Sequence, residues 1–265
     1  MDINSRLLIF SGKHTFLCSK DCTIKHHKLV KLLCATPDHL STDTATVEAE
    51  SCADLKDYLK KSRWVIPKVV PDLEPSLCLP IVHLACFLGK YKALEVLAEL
   101  GFHPLLRTAS TEETPLHMTV QLLRHHTFNS IFLSHVVVSI VKTLNQHCHP
   151  ISLFSAKDSK GNSVLHAMAE LISSNLPLAS TLLFVYLFRV FIHILLKKRQ
   201  YIPKSGSPQI LSNCLNDCNK AGQNVESLLQ KSFHGEQLLE YLNGLMENGR
   251  PETSSETSGK RAPPF

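Results

Sequence analysis

Apolar and polar residues in this chain are spaced mainly with the period of a helix. Between Ile131 and Gln146, the polar residues His135, Ser139, Lys142 and Gln146 fall on one helical face. Phe132, Val136, Val137, Ile140, Val141 and Leu144 fill the rest, predicting a helix with one wet side and two packed flanks. The stretch Leu178 to Leu196 is more apolar still, with its polar residues Tyr186, Arg189, His193 and Lys197 again in one line. Glu236 to Met246 places Leu238, Leu239, Leu242 and Leu245 at helical spacing. Nearer the start, His26 to Leu33 and Ala53 to Lys61 read as two shorter amphipathic helices, the latter with Leu55, Tyr58 and Leu59 on one side. Between them, Thr36 to Ser51 is polar and β-branched and reads as a loop, and Pro67, Pro71 and Pro75 stiffen the chain that follows. From Gly249 onward Ser, Thr, Glu and Pro dominate, so residues 248–265 are expected to be a disordered tail. The fold class expected is all-α.

Residues 178–196 admit a second reading. They have the length of a membrane span, and Lys197-Lys198-Arg199 would suit a cytoplasmic flank. Against this, an Arg in mid-span costs about 2.5–3.5 kcal/mol on insertion scales. The same polar line costs little when it faces water. The main expectation is an outer helix of a stacked soluble array, and the alternative is a membrane-tethered regulator anchored by residues 178–196.

Motifs recur as well as helices. Thr114-Pro115-Leu116-His117 has a looser upstream copy in Pro80-Ile81-Val82-His83-Leu84-Ala85. Downstream, Gly161-Asn162-Ser163-Val164-Leu165-His166-Ala167 keeps the histidine in register, after a turn at Lys157-Asp158-Ser159-Lys160-Gly161. A fourth copy runs from Asn219 to Leu229 with Ser227 in the histidine's place. The connectors echo each other too, as His103-Pro104-Leu105-Leu106 and His149-Pro150-Ile151-Ser152. Thr before Pro suits a helix start: the hydroxyl caps the first turn, and proline's missing N–H has no partner there. Gly101 stands where a left-handed helix stop is expected.

The tetrapeptide Thr114–His117, its copies and the segment from Ala85 to Gly101 resemble the ankyrin repeat family, whose period is about 33 residues. The resemblance covers residues 80–247. It implies a helical repeat solenoid of about four repeats, near 79–109, 113–155, 161–200 and 222–247, within an array over 76–247. Residues 1–75 would form an N-terminal cap region with a degenerate repeat and a Pro-rich connector. The intervals between His83, His117, His166 and Ser227 widen along the chain, so the second and third repeats must carry insertions, Tyr201 to Asn216 being read as one long loop. His83, His117 and His166 take structural roles in such an array, each ring using both nitrogens to tie neighbouring repeats.

The resemblance also implies a function: non-enzymatic binding of another protein, as adaptor or scaffold, through the finger loops and the concave face. By position, the first finger offers Arg107, Thr108, Ser110, Glu112 and Glu113. The next offers Ser155, Lys157, Asp158 and Lys160. Inner-helix candidates are Phe87 and Lys90, then Gln121 and Arg124.

Composition changes this picture little. The chain of 265 residues is 44% hydrophobic, enough to bury a core and too apolar for general disorder. A net charge of +5 is spread thinly, without the dense basic stripe of a nucleic-acid binder, so no nucleic acid is expected as partner. The cysteines number nine, an odd count widely scattered, which suits reduced thiols in cytoplasm or nucleus. Cys18, Cys22, His26 and His27 offer ligand types for zinc but not the spacing of a common site. His147-Cys148-His149 and the pair Cys214, Cys218 are read as ordinary side chains in the same way, so no metal or cofactor is expected. There is no glycine-framed serine and no phosphate loop, and no enzymatic activity is expected.

Overall fold

A computed structural model of the chain describes residues 53–54, 56–57, 81–108, 111–125, 130–174, 176–197 and 207–247. The expected helix over His26–Leu33, most of the cap region and the tail over 248–265 lie outside them. Among the described residues the regular structure is helical, with two isolated antiparallel bridges, Lys157 with Ser163 and Cys218 with Asn224.

The helices come in pairs. The first pair is α1 (Ile81–Phe87) and α2 (Tyr91–Glu99), and the second is α3 (Pro115–His125) and α4 (Ser130–His147). A short α5 (Pro150–Ser155) leads to α6 (Val164–Ile172) and α7 (Leu178–Lys197). Then α8 (Ser207–Asn216) leads to α9 (Val225–Leu229) and α10 (Phe233–Glu247). Packing runs pair to pair: α1 on α3, α3 on α6 and α6 on α9 form one row, and α2 on α4, α4 on α7 and α7 on α10 form a second. One continuous core lies between the rows, with Leu94, Leu97, Leu116, Leu123 and Ile140 early and Phe154, Phe184, Phe188 and Phe191 later. A short helix cannot hide its apolar face alone, so each pair depends on its neighbours.

The amphipathic reading of the long helices agrees with their burial. On α4, Val136, Val137, Ile140, Val141 and Leu144 are buried, while His135, Lys142 and Gln146 are exposed and Ser139 is half-buried. On α7, Tyr186, Arg189 and His193 face outward, and the line continues backwards through Leu182 and Leu178. This helix is long and apolar enough to cross a membrane, with mean hydropathy 2.0 over its window, half of which is buried in the fold.

The sequence reading fails in one stretch. Residues 207–216, expected within a long loop, form α8, with Leu211 and Leu215 buried. Cys214 accordingly lies on a helix and only Cys218 in a loop. The start signal was present, a proline in the first turn at Pro208, but the flanking Pro203, Gly206 and asparagines mask it.

The echoed connectors share one device. His103 Nδ1 accepts the Leu105 N–H at 3.1 Å, and His149 Nδ1 accepts the Ile151 N–H at 3.3 Å. In each case the imidazole caps the turn that opens at the following proline.

Candidate functional site

Three hairpin loops precede α3, α6 and α9, and their internal bonds explain their sequences. In the second, the Asp158 carboxylate accepts the N–H groups of Lys160 and Asn162 at 2.9 and 2.8 Å. Gly161 then turns back with φ +79° and donates its N–H to the Asp158 carbonyl. Asn219 does the same in the third loop, accepting from Ala221 and Gln223 at 3.0 and 2.9 Å, with Gly222 at φ +74°. In the first loop a hydroxyl replaces the carboxylate: Thr108 Oγ1 accepts the Glu113 N–H at 3.0 Å and pairs with Thr111 Oγ1 at 2.7 Å. That loop holds one more residue than the others, and the left-handed position falls to Glu112, φ +53°.

The loops are joined to one another. Ser159 donates its N–H to the Thr111 carbonyl at 2.8 Å, and Lys220 donates to the Lys160 carbonyl at 3.0 Å. Asn219 Nδ2 donates to Asn162 Oδ1 at 2.9 Å. The approach is close enough that a Cβ on Gly161 would sit 2.9 Å from the Lys220 nitrogen.

Beneath the loops lie three buried histidines. The Nε2–H of His83 donates to the Glu113 carbonyl at 2.8 Å, that of His117 to the Asn162 carbonyl at 3.1 Å, and that of His166 to the Gln223 carbonyl at 3.2 Å. A carbonyl only accepts, so each ring carries its proton on Nε2 and leaves Nδ1 as an acceptor. For His117 that acceptor takes the Thr114 hydroxyl at 2.8 Å and the Thr114 N–H at 3.3 Å. For His166 it takes the Ser163 hydroxyl and N–H at the same two distances. Ser227 keeps only the local half of the arrangement, receiving the Asn224 N–H at 3.2 Å and giving its own N–H to Asn224 Oδ1 at 2.8 Å. Burial pushes the His83 imidazole down to about 4, although the Glu113 carbonyl pulls the other way. Burial likewise lowers His117 and His166, offset in part by the Asn162 and Gln223 carbonyls. His83 differs in one respect: its Nδ1 has no hydrogen-bond partner. The residue three places before it in sequence is Pro80, which has neither hydroxyl nor N–H to offer.

Of the residues expected to meet a partner, several stand together on the loop side. Arg107 and Glu112, both exposed, form an ion pair at 3.2 Å. Glu113 accepts the Thr111 hydroxyl at 2.7 Å on one carboxylate oxygen and the Gln121 amide at 3.2 Å on the other. Arg124 reaches from α3 to Glu170 on α6 at 3.8 Å. Lys157 is tied to Asp217 at 2.7 Å and to the Cys218 carbonyl at 3.0 Å. Lys160 is exposed, and so is Ser155, whose hydroxyl bonds to the Ile151 carbonyl at 2.6 Å.

Others are placed differently. Thr108 is buried and Asp158 half-buried, both side chains engaged in shaping their loops. Phe87 and Lys90 are also buried. The reason is the length of α1: it ends at Phe87 and the chain turns at Gly89, so these residues flank the turn between α1 and α2. By contrast α3 continues through Arg124. Ser110 lies outside the described residues. Glu170, which sequence reasoning missed, follows His166 at the same interval by which Gln121 follows His117, so register alone would have found it.

Among the described residues no three metal-ligating side chains gather, and burial pushes the Cys86 thiol up to about 12. The chain matches no known family model and no curated protein.

Proposed function

We propose that residues 76–247 form an ankyrin-type repeat array that binds another protein without catalysing a reaction, acting as an adaptor or scaffold. The observation that carries this reading is the recurrence of one linkage. His83, His117 and His166 each reach the loop that opens the next helix pair, and consecutive loops are hydrogen-bonded edge to edge. Such a row is rigid at the backbone and varied in side chains, which is what a recognition surface on a scaffold requires. Ser227 keeps the local half of the same arrangement at the start of a fourth unit. The described cysteines, Cys86, Cys148, Cys214 and Cys218, are all free thiols, in keeping with action in the cytoplasm or nucleus.

Arg107, Arg124 and Lys160 are exposed side chains, and the ion pairs of the first two, with Glu112 and Glu170, lie at the surface. Changing all three to glutamate reverses the local charge without touching the core. Proximity labelling in cells, followed by co-precipitation, then compares partners of the wild-type and triple-variant chains. A specific set enriched with the wild type and lost with the variant is expected; an unchanged set overturns this surface as the binding site.

In the competing reading, α7 anchors the chain in a membrane. Removing α7 from its place would expose Phe184, Leu187, Phe188 and Phe191, all buried against neighbouring helices. It would also carry Arg189 and His193 into the bilayer. The reading we favour keeps α7 in the stack.

A further inference from the structure

The outer surface carries an apolar patch that the loop-side function does not use. Among the described residues, the exposed large hydrophobic side chains are Leu178, Leu182, Tyr186, Phe233 and Tyr241, and all belong to the adjacent helices α7 and α10. Leu178, Leu182 and Tyr186 follow one another at successive turns along α7. Phe233 and Tyr241 form a parallel line on α10, joined to the first where the Arg189 guanidinium lies over the Tyr241 ring at 4.6 Å. A helix that packs only half of its surface needs polar residues on the other half. Over its first half, from Leu178 to Tyr186, the outward face of α7 carries leucine and tyrosine instead, and polar side chains take that face only from Arg189 onward.

Charge indicates what covers it. Neither α4 nor α7 contains an aspartate or glutamate, and their charged residues, Lys142, Arg189 and Lys197, are all basic. On α10, Glu236 and Glu240 follow Phe233 at three and seven residues and share its face, so the acid-free surface is that of α7, with Tyr241 beneath Arg189 at its edge. A row of leucine and tyrosine followed by arginine, on a face without acid, is the pattern of a helix lying against anionic lipid. Tyrosine suits the boundary between acyl chains and headgroups, and arginine extends its charge to the phosphates.

We propose that the outer face of α7 docks on the surface of an anionic lipid bilayer while α7 stays folded in the stack. Leu178, Leu182 and Tyr186 dip into the headgroup boundary. Arg189 and Lys142 contact lipid phosphates. This goes beyond the proposed protein-binding role and uses a different face, so the two can fail separately.

The test is co-sedimentation of the full chain with vesicles of phosphatidylcholine alone and of phosphatidylcholine mixed with phosphatidylserine. Binding to the mixed vesicles, weakened by salt, is expected. In the combined variant Leu178→Ser, Leu182→Ser and Tyr186→Ser it falls by at least about tenfold, while the helical circular dichroism and melting temperature stay unchanged. No binding to the mixed vesicles overturns the proposal, as does equal binding by the variant. Retention through an alkaline carbonate wash overturns it in favour of an inserted α7. Self-association that the variant abolishes, without vesicle binding, assigns the patch instead to a second copy of the chain.

Discussion

At the scale of single residues, the departures from the common pattern are the informative ones. His83 has the cross-linking half of the arrangement at Nε2 and lacks the local half at Nδ1. An unsatisfied buried nitrogen costs about 1–3 kcal/mol. In sequence register Pro80 stands before His83 as Thr114 stands before His117, and on that register Pro80→Thr is expected to raise the unfolding free energy in urea by about 1 kcal/mol. A loss of stability would show that Pro80 contributes something the register does not explain. Glu112 is the second departure. It holds a left-handed backbone, φ +53°, where the other loops have glycine, and its ion pair with Arg107 is half exposed. Left-handed backbone costs a residue with a Cβ about 1–2 kcal/mol, and an exposed ion pair returns less than about 1 kcal/mol. Glu112→Gly is therefore expected to stabilise by up to about 1 kcal/mol in the same urea titration; clear destabilisation would show that the carboxylate is holding the loop.

At the scale of elements, the long helices were legible because their apolar positions repeat with the helical period over many turns. Those of α4 and α10 emerge from spacing alone, and α7 differs only in that its exposed line begins with two leucines. What spacing could not reveal was short or local. The helix α8 has few apolar residues, and Phe87 and Lys90 were assigned to an open face because register says nothing of where a helix stops. The site was legible in the same measure. Histidine spacing pointed to the three linkages, whereas the use of Thr108 and Asp158 inside their own loops depends on backbone turns that sequence only suggests. The two sides of α7 make an energetic contrast. Phe188, fully buried, is expected to cost about 3–5 kcal/mol when cut to alanine. Leu182, 51% exposed, should change stability by less than about 0.5 kcal/mol when replaced by serine. Paired denaturant titrations check both, and equal losses would mean that α7 packs on both sides.

At the scale of the whole molecule, the buried histidines make stability depend on pH. Each has its folded pKa depressed from 6.5, to about 4 for His83, so the unfolded chain takes up protons first as pH falls. The contribution of His83 is complete above pH 6.5 and is lost progressively as pH falls toward about 4, and His117 and His166 lose theirs in the same direction. For His83 alone the loss approaches roughly 3 kcal/mol at the lower end. The melting temperature should therefore drop steeply across that window, and His117→Asn should flatten the dependence; a profile unaffected by the substitution would contradict the linkage.

The central claim is that neutral, buried histidines bind successive helix pairs into one row. Long-range proton–nitrogen correlation of the imidazoles by nuclear magnetic resonance tests it most directly. At pH 7 His83, His117 and His166 should all be neutral and protonated on Nε2, and His83 should stay so as the pH is lowered below 6.5 toward about 4. If those three rings instead carry charge at pH 7, or carry their proton on Nδ1, the row is not held together in this way.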